Sequence, residues 1–438
     1  MRKRPLAALA LIGASLLLAA AGPAPRPKPN VLVVVVDTLR ADALGTYGQK
    51  RPTSPNIDAL AKQSVVWENA WTQYTWTLPS YVSYMTSTWA RSHGWDYQMG
   101  VLDKYKALDT RFPTLAEVFS SGGYATSAYF ANIHIREDLG FGRGFQTFRP
   151  GTEPQTVKSA IADIQRWKDD GKPNFTYVHL MAPHVALIPT AESQAAVGTS
   201  LTFDPAKGLG YDHWVQAPAD VKEARLREFV DAYHACVRDG DRLVGQVLAA
   251  ADAAGAGDTV VALFSDHGEM LGEHGQIGHG PLVWNEIARV PLMIRAPGQK
   301  PRREAARTGR LIDVAPTLAE LAGLPVPEAW QGLSLFAEGR PLVLTERDHV
   351  LAVTAAGYKT VEDRTKERFI YGFDLKADPL ENAPSKDRAI PGIAVLVAAA
   401  NQWRAENPKQ VNGGEVLQLD EAERKETIEQ LEALGYTQ

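Results

Sequence analysis

The sequence predicts an α/β protein: a three-layer sandwich with a mainly parallel central sheet, followed by a small C-terminal α+β subdomain. Two observations carry the first part. Residues 31–36 (VLVVVV) and 259–264 (TVVALF) are continuous apolar runs bounded by polar residues, the pattern of strands covered on both faces. Between and beyond them, apolar runs alternate with amphipathic stretches, as a parallel sheet packed between helices requires. The second part rests on the change to short strands beyond about Leu342.

The elements follow in order. Arg2, Lys3 and Arg4 precede the apolar stretch 6–21, the layout of a secretory signal over residues 1–21 with Ala19-Ala20-Ala21 as the cleavage site. The stretch is short for a membrane span, so the prediction is an exported protein, periplasmic or extracellular, with an uncleaved leader as the alternative anchor. Residues 22–29 contain PAPRPKP, a proline-rich tether. The folded part starts near Asn30, and the α/β domain is expected over 30–341. Residues 57–64 read as a helix, with Ser54-Pro55 as cap and first-turn proline. A helix over 112–122, strands over 124–131 and 174–181, and a long helix over 221–254 come next. In that long helix Phe229, Tyr233, Val237, Val244 and Leu248 make the apolar face. Residues 291–296 continue the sheet and 313–322 form a helix. The C-terminal subdomain, 342–438, has short strands around 350–361 and 368–373, a small antiparallel sheet, and a charged helix over 419–434.

The chain has 438 residues, 45% hydrophobic and 22% charged, with a net charge of −5, which is ordinary globular composition. Neither this charge nor any long basic run points to nucleic acid. Cys236, the single cysteine, rules out an internal disulfide and reads as a small buried hydrophobe.

The two strongest strands empty onto chemistry. Asp37 closes the first; Ser265, Asp266, His267, Gly268 and Glu269 close the second. Ligands of open α/β sheets bind at the carboxyl ends of the strands. Asp37 or Asp266 alone would read as a helix cap. Two carboxylates and an imidazole delivered to one edge read instead as an incomplete metal site. Between the strands lies Thr75-Trp76-Thr77-Leu78-Pro79-Ser80. A bound divalent cation activates a hydroxyl, and a helix N-terminus at Thr77 would favour its anionic form.

The chain resembles the sulfatase-like branch of the alkaline phosphatase superfamily. The markers are Asp37-Thr38-Leu39-Arg40-Ala41-Asp42, Thr53-Ser54-Pro55-Asn56-Ile57-Asp58, Thr77-Leu78-Pro79-Ser80, His93-Gly94 and His179-Leu180-Met181-Ala182-Pro183-His184. Ser265-Asp266-His267-Gly268-Glu269, Gly278-His279-Gly280, Arg289-Val290-Pro291 and Asp374-Leu375-Lys376-Ala377-Asp378-Pro379 follow. Their order and spacing together are specific. The resemblance implies an alkaline phosphatase-like fold and a metal-assisted hydrolase or transferase of sulfate or phosphate esters. It makes Asp37, Asp266 and His267 metal ligands and Thr77 the nucleophile, also facing the metal. His184 falls near the leaving group and His279 where arylsulfatases often carry a lysine. Asn132, His134 and Arg40 fall at substrate-binding positions; His179 and His93 fit structural roles equally well.

Departures from the family pattern refine this expectation. Sulfatases convert a Cys or Ser, in the pattern Cys/Ser-x-Pro-x-Arg, to formylglycine. Here Thr77 stands in that place and Tyr81 replaces the arginine. Oxidising threonine would give a ketone, so the formylglycine route is closed. Thr38 stands where many sulfatases have a second Asp, and His267 where they often have Asn. An imidazole among oxygen ligands shifts preference toward manganese or zinc, with calcium or magnesium as alternatives. One divalent ion is expected. The site thus resembles those of threonine-dependent phosphodiesterases and phosphoglycerol transferases. The expected partner is an anionic ester, a sulfated or phosphorylated glycan, lipid or small molecule, with no nucleic acid and no integral membrane segment beyond the leader. Phosphodiester hydrolysis is favoured. The alternatives are a phosphoglycerol- or phosphoethanolamine-type transferase and an inactive binder of anionic glycans or lipids. Residues 189–219 are the candidate specificity loop.

Overall fold

The computed structural model describes residues 28–95, 107–202, 209–255, 258–279, 282–339, 342–365, 368–386 and 391–410, with Gly414 and Lys425. The expected leader, most of the tether, and all of the expected helix 419–434 except Lys425 lie outside the described residues.

The fold is a mixed α/β sandwich around an eight-stranded sheet. Its strand order is Arg302–Glu304, Val65–Trp67, Leu292–Arg295, Thr259–Phe264, Asn30–Val36, Asn174–Leu180, Ala125–Phe130, Thr147–Pro150. The strand Leu292–Arg295 runs antiparallel to both neighbours, and every other pairing is parallel. Residues 291–296 therefore do continue the sheet, in the reverse direction.

Both apolar runs are buried on two faces, as their composition requires. Val31, Val33 and Val35 enter one core with Leu78, Tyr81, Phe119 and Leu318. Leu32, Val34 and Val36 enter the other with Ile57, Ala160, Tyr233 and Val244. The helices Thr77–Thr86, Leu115–Ser121 and Val314–Leu321 thus cover one face, and Pro55–Ala61, Glu153–Ile164 and Lys222–Gly255 cover the other. Cys236 is buried in the second core.

Helix starts follow their caps. Thr114 and Glu117 form a reciprocal capping box, satisfying two end N–H groups, so this helix begins at Leu115 rather than at 112. The helix Glu153–Ile164, absent from the sequence expectations, starts from a similar box at Thr152 and Gln155. Toward the C-terminus, Val343–Arg347, Val350–Ala355, Tyr358–Asp363 and Phe369–Asp374 form an antiparallel sheet in that order. The expected strand region 350–361 is two strands, split by a turn in which Ala356 and Gly357 have φ of 53° and 84°. The helix Pro391–Glu406 packs on this sheet through Leu396, Ala400 and Trp403. Among the described residues, no helix is long and apolar enough to cross a membrane.

Candidate active site

Register alone brings the site together. Val36 pairs with Leu180 on one side, and Val35 with Phe264 on the other. Asp37, the residues after Leu180, and Ser265 to His267 therefore leave the sheet side by side at its carboxyl edge. Asp37 keeps the register one step further, its N–H donating to Leu180 O at 2.9 Å.

The side chains then sort by hydrogen bonding. Asp37 Oδ2 accepts from Asn132 Nδ2 at 2.6 Å and lies 3.2 Å from His179 Nε2. Tyr177 OH lies 2.8 Å from His179 Nδ1. With the phenol donating to Nδ1, His179 carries its proton on Nε2 and donates it to Asp37. Asp266 Oδ1 accepts from the N–H groups of Thr38, at 3.3 Å, and His267, at 2.9 Å. His267 Nδ1 lies 2.9 Å from Gly268 O, which can only accept. The proton is thus on Nδ1, and Nε2 presents a lone pair. That nitrogen lies 3.3 Å from Thr77 Oγ1, 3.6 Å from Asp266 Oδ2 and 3.9 Å from Asp37 Oδ1.

Three buried oxygens remain. Asp37 Oδ1, Asp266 Oδ2 and Thr38 Oγ1 have no hydrogen-bond partner among the described residues. A buried polar atom left unpaired costs about 1–3 kcal/mol, more when charged, so oxygens gathered around an imidazole lone pair fit a divalent cation. Thr38 is also held at φ 53°, a conformation a β-branched residue adopts at a cost of roughly 1–3 kcal/mol. Asp37, His179 and Asp266 likewise offer ligand atoms within 4.8 Å of one another. The Nε2–H of His179 is spent on Asp37, whereas Nε2 of His267 keeps a lone pair.

Burial and neighbouring charges shift the two carboxylates in opposite directions. Burial raises the Asp37 carboxyl, but the His179 hydrogen bond and neighbouring imidazoles outweigh it and hold Asp37 below the usual range. Asp266 is pushed well up, by burial first and then by Asp37. Burial also lowers His267 to about 3. Two close carboxylates cannot both ionise without a counter-charge.

Thr77 opens the helix Thr77–Thr86, with Trp76 extended before it. Ser80, one turn on, donates through Oγ to Asp266 O at 2.8 Å, locking this helix to the end of the strand Thr259–Phe264. Beyond His267 the imidazoles form a row: ring centroids of His267 and His279 are 4.6 Å apart, and those of His279 and His184 are 5.3 Å apart. His279 Nδ1 lies 3.2 Å from Glu269 Oε1, and burial lifts that carboxyl to about 7.

The expected substrate-binding residues fare unevenly. Asn132 donates to Asp37 and fixes its orientation, while its Oδ1 accepts the His134 N–H at 2.8 Å. His134 is buried edge-on to Trp76, 5.7 Å between centroids. Arg40 turns from the site: Nη2 pairs with Asp42 and Nη1 with Glu273, each at 2.7 Å, and Nη1 also donates to Glu269 O. These contacts engage all three of its nitrogens and tie it to the loop that follows Asp266. His93 is structural, with Nε2 3.0 Å from Ser83 Oγ and Nδ1 accepting the Trp95 N–H. Tyr211, from the candidate specificity loop, reaches Glu269 Oε2 at 3.2 Å. Sequence reasoning missed Glu269 as the partner of His279 although it sits in a quoted motif, and did not single out Tyr211 within the candidate loop.

The sequence model of the Sulfatase family matches residues 29–324. The chain belongs to the sulfatase family. Iduronate 2-sulfatase of Mus musculus is 27% identical over 399 residues, 70% of this chain and 71% of the relative. Among solved structures, a protein in complex with its substrate D-glucosamine-2-N, 6-O-disulfate matches at a TM-score of 0.70 and 17% identity, covering 87% of this chain and 99% of the other. The phosphonate monoester hydrolase SpPMH from Silicibacter pomeroyi matches at 0.69 and 18%, covering 88% and 97%. The sulfatase family is metal-dependent, in keeping with the carboxylate and imidazole cluster of this sulfatase-like ester hydrolase.

Proposed function

We propose that this sulfatase-family hydrolase cleaves sulfate or phosphate esters with Thr77 as nucleophile, phosphodiesters being favoured, and that it works outside the cytoplasm. The observation that carries the reading is the Thr77 hydroxyl, at a helix start and 3.3 Å from His267 Nε2, beside the orphaned oxygens of Asp37 and Asp266.

Asp37, Asp266 and His267 would hold one divalent ion, with Thr38 Oγ1 and Thr77 Oγ1 within its surroundings. Such an ion, when bound, supplies Lewis acidity toward the Thr77 alkoxide and the non-bridging substrate oxygens. The imidazole favours manganese or zinc, with calcium or magnesium as alternatives. Thr77 Oγ releases its proton to solvent and bonds to phosphorus or sulfur in line as the bond to the departing alcohol breaks, and that alcohol oxygen takes a proton from His184. In the second step His184 takes a proton back from the attacking water, whose oxygen bonds to phosphorus or sulfur as the bond to Thr77 Oγ breaks, and Thr77 is reprotonated from solvent as the oxoanion leaves. His279, held by Glu269, and His134 line the anion. The neighbours named for a sulfated sugar and for a phosphonate monoester support an anionic ester as substrate, a glycan or lipid among the candidates.

The test is hydrolysis of matched aryl sulfate, phosphate monoester and phosphate diester by the mature chain with manganese or zinc, alongside Thr77→Ala. Diester cleavage lost in the variant is the expected result. Metal binding without cleavage of any ester would overturn the reading in favour of a binder, and release of product only with an added acceptor alcohol would favour a transferase. Export is tested by the location of the full chain after cell fractionation; retention in the cytoplasm would refute it.

A further inference from the structure

The turn that presents Thr77 is gripped from outside the main sheet. Thr345 Oγ1 donates to Thr72 O at 2.7 Å, the Glu346 N–H to Gln73 O at 2.9 Å, and Arg347 Nη1 to Thr75 O at 3.0 Å. Tyr74 OH donates to Asp348 Oδ1 at 2.7 Å and accepts the Asp348 N–H at 2.9 Å. Residues 345–348, the end of the strand Val343–Arg347 and the residue after it, thus hold 72–75 along their length.

Arg347 is the costly member of this grip. It is 3% exposed, and its Cζ lies 5.8 Å from the Tyr74 ring centroid and 5.9 Å from that of Trp76, within cation–π range. A buried guanidinium is expensive unless its charge and donors are used. One donor fixes a carbonyl two residues before Thr77. Its Nε lies 3.7 Å from Asp348 Oδ2, so the charge faces the same segment. The arginine of the family pattern is no source of such charge here. Tyr81 packs in the core at 4.8 Å from Phe141 and 5.5 Å from Tyr84.

We propose that Arg347 is a positioning residue for Thr77: it fixes Thr75 O, and through it the first turn of the helix, so that the Thr77 hydroxyl faces the ester in line. This deepens the reading of Thr77 as nucleophile and rests on it. Displacement of a reacting group by about 1 Å costs on the order of 100-fold in rate.

The experiment combines steady-state kinetics with hydrogen exchange on full-length protein. In Arg347→Ala, kcat should fall about 100-fold with KM changed less than about three-fold. Amides of 72–77 should exchange faster while those of Asn30–Val36 stay protected. Arg347→Lys should restore part of kcat, and millimolar guanidinium should restore part of the activity of Arg347→Ala, which a purely structural loss would not allow. If Arg347→Ala does not fold, Tyr74→Phe with Arg347→Lys carries the same local-exchange readout. Unchanged kcat and exchange would overturn the proposal, as would exchange rising uniformly through the core. If the wild type cleaves no ester, the functional reading falls, and exchange at 72–77 alone still decides whether Arg347 fixes the turn.

Discussion

Thr77 and Asp37 differ in how their neighbours could be read. Asp37, Asp266, His267 and Thr77 were visible because strand ends and helix starts are visible, and backbone direction alone delivers them to one edge. Asn132 and His179 were seen as residues, but their attachment to Asp37 depends on pairing between strands about 100 and 140 residues apart, which no local pattern encodes. The pairing of Arg40 with Glu273 was equally hidden, because a motif position says nothing about the acids that fold against it. With Asp37 holding the ion as proposed, Asn132 and His179 act on that ion through their hydrogen bonds to Asp37. Replacing either by Ala should weaken manganese or zinc affinity about 10–100-fold, read by calorimetry without any substrate. Thr77→Ala should instead leave metal affinity within a few-fold and lower kcat by at least about 10⁴-fold.

Helices and strands with strong periodicity were legible, including the reversed strand Leu292–Arg295, though not its direction. The misses are short or capped elements. Val343–Arg347 gives only five residues of pattern, and Glu153–Ile164 opens on a proline-bearing first turn. The C-terminal sheet and its helix are joined by charge as well as by apolar contact. Burial raises the Glu362 carboxyl, but bonds from Arg404, Arg368 and Arg364 outweigh it and hold it at about 2. An acid lowered on folding stabilises above its ordinary value of 4.5, and this contribution is lost as pH falls through 2. Pepsin should therefore cut the helix Pro391–Glu406 faster near pH 3 than near pH 5. In Glu362→Gln that difference should shrink, since the amide does not titrate.

The three central strands of the sheet come from residues 259–264, 30–36 and 174–180. Fold class followed from composition and alternation, but this interleaved order did not, because pairing partners are chosen by tertiary packing. The order also fixes when a metal site exists. Asp37 and His267 are delivered by adjacent strands whose connection spans most of the α/β domain, so no fragment that ends before Asp266 or begins after Asp37 carries the proposed ligand set. Metal binding is then linked to completion of the fold, adding about 2.7 kcal/mol at a hundred-fold excess over Kd. Thermal unfolding with and without chelator should show that shift in the intact chain. With the ligand set proposed above, a growing polypeptide would acquire the ion only after the strand leading into Asp266 has joined the sheet, so a bound ion would report completed assembly.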